Sequence, residues 1–315
     1  GLLLLGTLLT GGCTPSPPAP LRIGLNPWPG YDFLYLAQKK GFIREAGGNV
    51  EIVGFTSLGD SRRAFERGQV DAYGGTSVEL VLAQANSERR PRAFSVTNWS
   101  EGGDQLLARP GVTSVAELRG KRVAVEPASV DLLVLNLALN RAGLPRDAVE
   151  RVTMGQAEMA DAMADGDVQA AVSYPPASVR IRDRTDANVL FDTGEAPRAV
   201  LDLFIGAETV LQQRPGDFIA VVRAFDQAVR YAAEHPAESR RIIAQREGIT
   251  PEELGEVLQG IRVIGLAEQA PMWPEEVQSA LARTAKALGE AGHIATPVPV
   301  SRLLAPDIVA RAAAE

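Results

Sequence analysis

From Leu21 onward, short apolar runs alternate with longer stretches in which apolar residues recur every three or four positions. "LRIGL" (21–25) reads as a strand, and "FLYLAQKKGF" reads as a helix ending at Gly41. "NVEIVGF" is a strand, "SLGDSRRAFERG" a polar helix closed by Gly68, and "VDAYGG" a strand. "TSVELVLAQA" begins a helix with Thr76 or Ser77 as N-cap. A second block repeats the design. "SVAEL" opens with a capping box from Ser114 to Glu117, "KRVAVEP" is a strand, and "SVDLLVLNLALNRAG" is a helix capped by Ser129 and ended by Gly143. "VERVTM", "AEMADAMADG", "VQAAVSY" and "PPASVRIRD" continue as strand, helix, strand and helix. This alternation predicts an α/β protein, with parallel sheets and helices on their faces. After Asp202, "LDLFIGAETVL" gives a strand and a helix, and the amphipathic helices that follow are expected to clad a domain.

The two blocks correspond in detail. Residues 65–81, "FERGQVDAYGGTSVELV", and residues 163–179, "MADGDVQAAVSYPPASV", share one plan: helix end, Gly, strand, then a small or Pro-containing turn into a helix. Two α/β lobes of the same design account for the repeat. The 315-residue length suits about two domains of ~150 residues each.

Composition narrows the chemistry. The formal charge is -7, with acids and bases mixed along the chain and no basic block, which argues against nucleic acid as a partner. Cys13 is the one cysteine, so neither an internal disulfide nor a cysteine-built zinc site is expected. His235 and His293 are remote in sequence, and no Ser–His–Asp arrangement follows from them. Glu126 and Asp131 form a carboxylate pair on a turn, where such groups are expected to be solvated. Neither a cofactor nor a metal is expected.

Residues 1–12, "GLLLLGTLLTGG", are apolar and uncharged. They are too few to span a bilayer, which takes about 20 residues, and they fit the apolar region of an export signal. "LTGGC" resembles a bacterial lipobox, with Thr10 where Leu is usual, and makes Cys13 the expected site of lipidation. "TPSPPAP" (14–20) reads as a polyproline-type tether. Residues 1–20 are thus expected to export the protein and to tie it to a membrane of the cell envelope.

In an open parallel sheet, ligands sit beyond the carboxyl ends of the strands. "LNPWPGYDFLYLAQKKGF" (25–42) puts Trp28 and Tyr31 at such an end, in a turn stiffened by Pro27 and Pro29. Gly74 to Ser77, with the Thr76 and Ser77 hydroxyls, offers backbone N–H groups either to an anionic oxygen or to helix capping. "NWSEGGDQLLA" (98–108) places Trp99, Ser100 and Asp104 between two strand-like runs. "EPASVD" places Ser129 and Asp131 at the start of the second block's long helix, and Tyr174 is the counterpart of Gly75 or Thr76.

The ordered set "IGLNPWPGYDFLYLAQKKGF", "FERGQVDAYGGTSVELVLA", "WSEGGDQLLARPGVTSVAELRGKRVAVEPASVDLLVLNLALNRAGL" and "GITPEELGEVLQGIRVIGLAEQ" resembles the nitrate/sulfonate/taurine class of ABC-importer substrate-binding proteins over most of residues 21–270. The family often has Gly-Ala-Asp where this chain has Gly102-Gly103-Asp104. The resemblance implies a type II periplasmic-binding fold with no catalytic function. One lobe would comprise 21–107 plus 204–315 and the other 108–203, with hinges near Ala108-Arg109 and Asp202-Leu203. It also implies a monomer that traps a solute in the cleft and delivers it to a membrane permease. The implied ligand contacts are Trp28, Tyr31, Thr76, Ser77, Trp99, Ser100, Asp104, Ser129, Asp131, Tyr174 and Asp202. Asp202 stands in the apolar "VLDLF", where a lone buried carboxylate needs a cationic ligand group or an Arg partner, and Arg198 is close in sequence. Three aspartates and four aromatic residues favour a zwitterionic, cationic or heterocyclic solute over bare nitrate or sulfate. Two other functions fit the same fold: a sensor without transport, and an enzyme like the yeast-type thiamine-pyrimidine synthases. The latter use a reactive His and a Cys-rich iron motif, neither of which is found in this chain.

Overall fold

The computed structural model describes residues 19–314. The expected export signal, Cys13 and most of the tether lie outside them. Eleven strands are described: β1 (Leu21–Leu25), β2 (Val50–Gly54), β3 (Ala72–Thr76), β4 (Pro91–Ser100), β5 (Gln105–Ala108), β6 (Arg122–Val125), β7 (Glu150–Thr153), β8 (Ala170–Ser173), β9 (Asn188–Asp192), β10 (Val200–Ala207) and β11 (Ile261–Val263). They form one sheet of order β11-β4-β10-β3-β1-β2 and a second of order β7-β6-β8-β5-β9.

The two sheets share a plan, as the internal repeat implied. β1 pairs in parallel with β2 and β3, and β6 pairs in parallel with β7 and β8. The expectation of purely parallel sheets is corrected at their other halves. β10, β4 and β11 run antiparallel to their neighbours in the first sheet, as do β5 and β9 in the second. The chain goes from β4 directly into β5 over residues 101–104. That link carries the chain out of the first sheet and into the second.

Sheet membership also fixes where the chain passes between lobes. Gln105–Ala108 pairs within the second sheet and Val200–Ala207 within the first. The passes therefore run over 101–104 and 193–199, several residues before the expected breaks at 108–109 and 202–203. The two passes are laced together: the Thr193 hydroxyl meets the Ser100 hydroxyl at 2.8 Å and accepts from the Gly102 N–H at 2.9 Å. Gly260 packs against this junction and its carbonyl accepts from the N–H of Glu101 and of Gly103. A Cβ at Gly260 would lie 2.7 Å from the Gly102 carbonyl carbon, so only glycine permits this approach.

The first lobe carries the larger core. Helix Pro215–Glu234 lays Phe218 and Phe225 against Phe94 of β4 and Phe204 of β10, with Phe94–Phe218 and Phe204–Phe225 ring centroids 4.8 and 5.5 Å apart. Every residue of β10 is buried, consistent with a strand covered on both faces and paired on both edges. Local signals bound several helices as the sequence implied, but the expected capping box at Ser114–Glu117 opens only a 3₁₀ turn without a side-chain cap, and Val130 stands at the cap expected of Ser129. Gly41 adopts φ +86° after Lys39 and Lys40, and Thr250 and Glu253 form a reciprocal capping box.

Candidate functional site

The carboxyl ends of β1 and β3 meet those of β6 and β8 across a cleft. A cavity there has an empty volume of about 190 Å³ and is lined by Asn26, Trp28, Tyr31, Leu58, Thr76, Asp104, Tyr174 and Asp202. A larger open groove, about 780 Å³ and lined among others by Arg92, Glu208 and Asp307, lies at the far ends of β4 and β10 from Asn98 and Asp202. Size does not make the larger groove the site. The smaller cavity sits at the strand ends where parallel sheets offer their loops to ligands, and it draws residues from both lobes.

The loop after β1 builds one wall. The Asn26 side-chain amide donates to the Pro27 carbonyl at 2.9 Å, turning the chain at once. The Trp28 indole folds back, donates from Nε1 to Asn98 Oδ1 at 3.2 Å, and meets Tyr174 of the other lobe edge-on at 6.1 Å. Two glycines make room for it. A Cβ at Gly30 would lie 2.0 Å from Asn98 Oδ1 and 2.5 Å from the indole nitrogen, and one at Gly103 would lie 2.7 Å from the indole ring. Tyr31 points inward and donates its hydroxyl to Asp202 Oδ1 at 2.5 Å.

The electrostatics are set by carboxyl groups. Asp202 is 2% exposed and is held by neutral donors, Tyr31 and the Asn98 amide at 2.8 Å. Arg198 does not supply the countercharge; its guanidinium bonds Glu276 at 2.8 Å. Burial, then the neighbouring Asp104, push the Asp202 carboxyl well above the ordinary range. Asp104 is 3% exposed, and burial raises its carboxyl to about 7; the Ser100 hydroxyl works against the shift. No Lys, Arg or His lines the cavity.

Further carboxylates stitch the lobes together. Glu126, after β6, accepts from the Gly59 N–H at 2.8 Å, in the first turn of helix Leu58–Glu66, and from the Tyr174 hydroxyl at 2.9 Å. Glu79, in helix Ser77–Asn86, reaches the other way and accepts from the Val130 N–H at 3.0 Å, at the start of helix Asp131–Arg141. Each lobe thus sets a carboxyl group on the positive end of a helix in the other. The expectation that Glu126 and Asp131 are solvated is corrected: both are buried. Asp131 accepts from the Glu126 N–H at 2.7 Å and the Gln156 amide at 3.0 Å.

Of the residues singled out from sequence, Trp28, Tyr31, Thr76, Asp104, Tyr174 and Asp202 come together in the cavity wall. The other five lie outside it and hold neighbouring structure. Ser77 meets the Thr284 hydroxyl at 2.8 Å, and Trp99 is in the core. Ser100 joins the interlobe passes, while Ser129 and Asp131 fasten the β6 turn. Of the N–H groups at Gly74 to Ser77, that of Thr76 serves capping, while Gly74 and Gly75 lie in β3 and pair with Phe204 and Leu203 of β10. Glu79 accepts from the Thr76 N–H and hydroxyl, and the Thr76 hydroxyl accepts from the Val78 N–H. Sequence reasoning missed Asn26 and Leu58 in the wall, and the Asn98 amide that orients both Trp28 and Asp202. The period-two alternation of β4 could have found Asn98, because it puts Asn98 and Ser100 on the face opposite Trp99.

A family model described as NMT1/THI5 like matches residues 28–239. A protein of Brucella abortus (strain 2308), provisionally named a binding protein, is 23% identical over 234 residues, covering 72% of this chain and 71% of its own. The periplasmic aliphatic sulphonate binding protein SsuA from Escherichia coli superposes with a TM-score of 0.76 at 18% identity, covering 92% of each chain. The desulfurization enzyme DSZB superposes with a TM-score of 0.70 at 19% identity, over 94% of this chain and 99% of its own. At such identities the likeness is one of fold, and a binding protein and an enzyme share that fold. The two lobes and the two passes between them are those of the periplasmic-binding-protein fold. Among the described residues no helix is long and apolar enough to cross a membrane.

Proposed function

We propose, from the premise that this chain belongs to the NMT1/THI5-like family, that it is the extracytoplasmic solute-binding component of an ABC importer. Its two lobes close on a small organic solute, zwitterionic, cationic or heterocyclic, and the closed form presents that solute to a membrane permease. One observation carries the reading. Side chains from the strand ends of both lobes, six of them chosen from sequence alone, converge on one buried cavity. The interlobe hydrogen bonds of Glu126 and Glu79 supply a closed state for a ligand to select. Binding without chemistry is favoured over the activity type of DSZB. The cavity wall holds no Cys, Lys or His as nucleophile or base, and its Tyr31 hydroxyl is engaged with Asp202. The relatives' periplasmic setting fits the expected export signal and lipid anchor at Cys13.

The test is a thermal-shift screen of the purified protein against amino-sulfonates, sulfonates, nitrate, polyamines, guanidino compounds and pyrimidines. A true ligand at a hundredfold excess over Kd stabilises by about 2.7 kcal/mol. A screen with no stabiliser, or one whose hit still binds after the cavity wall is altered, would defeat the proposal. Metabolic labelling with a palmitate analogue checks the anchor, and an unlabelled wild type would remove it.

A further inference from the structure

We infer that, granted the solute-binding reading above, the cavity selects a small organic monocation and rejects anions, with Asp104 as counter-ion and Trp28, Tyr31 and Tyr174 as the walls around the charge. Three independent features of the site lead there.

The first is the lining itself. Two carboxyl groups, three aromatic rings, an amide, a hydroxyl and a leucine face the cavity, with no basic side chain among them. An anion would enter among Asp104, Asp202 and the nearby Glu79; Glu79 already raises the proton affinity of both aspartates, and Asp104 that of Asp202. Aromatic faces attract cations and repel anions.

The second is the fate of the helix N-termini around the cleft. These are the ready seats for a sulfonate or nitrate oxygen, and at three of them, the starts of helices Leu58–Glu66, Ser77–Asn86 and Asp131–Arg141, the chain's own carboxyl groups already take an N–H. Glu126 takes the Gly59 N–H, and Glu79 takes the N–H of Thr76 and of Val130. An anion would have to displace a buried carboxyl group to reach the same donors.

The third is the difference between the two aspartates in the wall. Asp202 has both oxygens engaged, by Tyr31 and Asn98. Asp104 is equally buried, yet only the Ser100 hydroxyl stands beside its carboxyl, which faces the cavity. One carboxyl group open to the cavity matches one positive charge.

A cation arriving beside Asp104 favours its ionised form, so binding expels a proton. The groups that face this carboxyl are the Ser100 hydroxyl, Glu79, Asp202, Asp131 and Tyr31, and none of them is cationic. Calorimetry on the purified protein tests the inference with choline, methylguanidinium and 1,3-dimethylimidazolium, none of which titrates in this range, set against ethanesulfonate, nitrate and the zwitterion taurine, each at millimolar concentration. The expected result is that at least one monocation binds while ethanesulfonate and nitrate do not. Titration at pH 6 in two buffers of different ionisation enthalpy should show proton release that disappears at pH 8.5. Asp104→Asn should weaken the monocation roughly tenfold to a hundredfold and abolish the proton release, while circular dichroism confirms a folded variant. Binding of ethanesulfonate, nitrate or taurine in preference to the monocations would overturn this inference and leave the solute-binding reading standing. Monocation binding unchanged by Asp104→Asn would also overturn it. No binding of any probe would count against the solute-binding reading, and the inference would fall with it.

Discussion

Replacing Asp104 by Asn should make the ligand-free protein more stable at neutral and alkaline pH, by an amount that grows across a defined window. In the folded state burial raises this carboxyl from 3.8 to about 7. Below pH 3.8 the carboxyl is protonated in both folded and unfolded chains and contributes nothing to the pH dependence. Between 3.8 and about 7 the unfolded chain loses its proton while the folded chain keeps it, so stability falls as pH rises. At about 1.4 kcal/mol per pH unit, that window removes on the order of 4 kcal/mol from the wild type, and the loss then levels off. Asn has nearly the same volume and does not titrate. The variant's advantage over wild type should therefore widen by about 4 kcal/mol between pH 4 and pH 8. Asp32, raised to about 6 by burial, adds a fall of the same sign to both proteins and cancels in the difference. Urea unfolding at a series of pH values measures this directly. Parallel curves for the two proteins, or a gap that narrows as pH rises, would show that Asp104 is not a buried, unpaired acid.

Three further substitutions probe other parts of the site. Trp28→Ala should abolish the thermal shift given by any hit of the ligand screen while far-ultraviolet circular dichroism stays unchanged; an undiminished shift would return Trp28 to a purely structural role. Glu126→Ala removes the acceptor for Gly59 across the cleft and for Tyr174 within its own lobe and should weaken closure by on the order of 2 kcal/mol. Small-angle scattering should then give a larger radius of gyration for the ligand-free variant, and an unchanged radius would argue that these bonds do not hold the lobes. Ser77→Ala breaks the contact with Thr284 and should cost about 1 kcal/mol in urea unfolding with ligand affinity unaltered; a lost affinity would put Ser77 back among the ligand contacts.

Much of the fold was legible because its signals are local. Strand and helix periodicity, glycine terminators and the Thr250–Glu253 capping box each act over a few residues. Asp202 was legible as a candidate for the cavity wall because a carboxylate in an apolar strand contradicts its surroundings. Trp28 was legible because an indole contradicts a turn. The directions of β4, β10 and β5 were not legible, since they depend on which sheet a strand joins after a link of four residues. β11, three residues long at a sheet edge, and the largely exposed β9 carry too few buried positions to print a pattern. Glu79 caps its own helix at Thr76, but its second oxygen bonds a residue 51 positions away in the other lobe. No local pattern encodes that partner. Trp99 and Ser100 share a short stretch with Asp104, yet the strand's alternation and the interlobe lacing send them elsewhere.

The indole pinched between Gly30 and Gly103 has a use beyond its place in the wall. Gly103 belongs to one of the two passes that must flex when the lobes part, and Tyr174 recedes with the second lobe. The other two tryptophans, Trp99 and Trp273, are buried on β4 and on the turn after helix Leu266–Met272, both in the first lobe. Emission from this protein should therefore change with the posture of a single chromophore, giving an unlabelled optical gauge of how far the jaws stand apart.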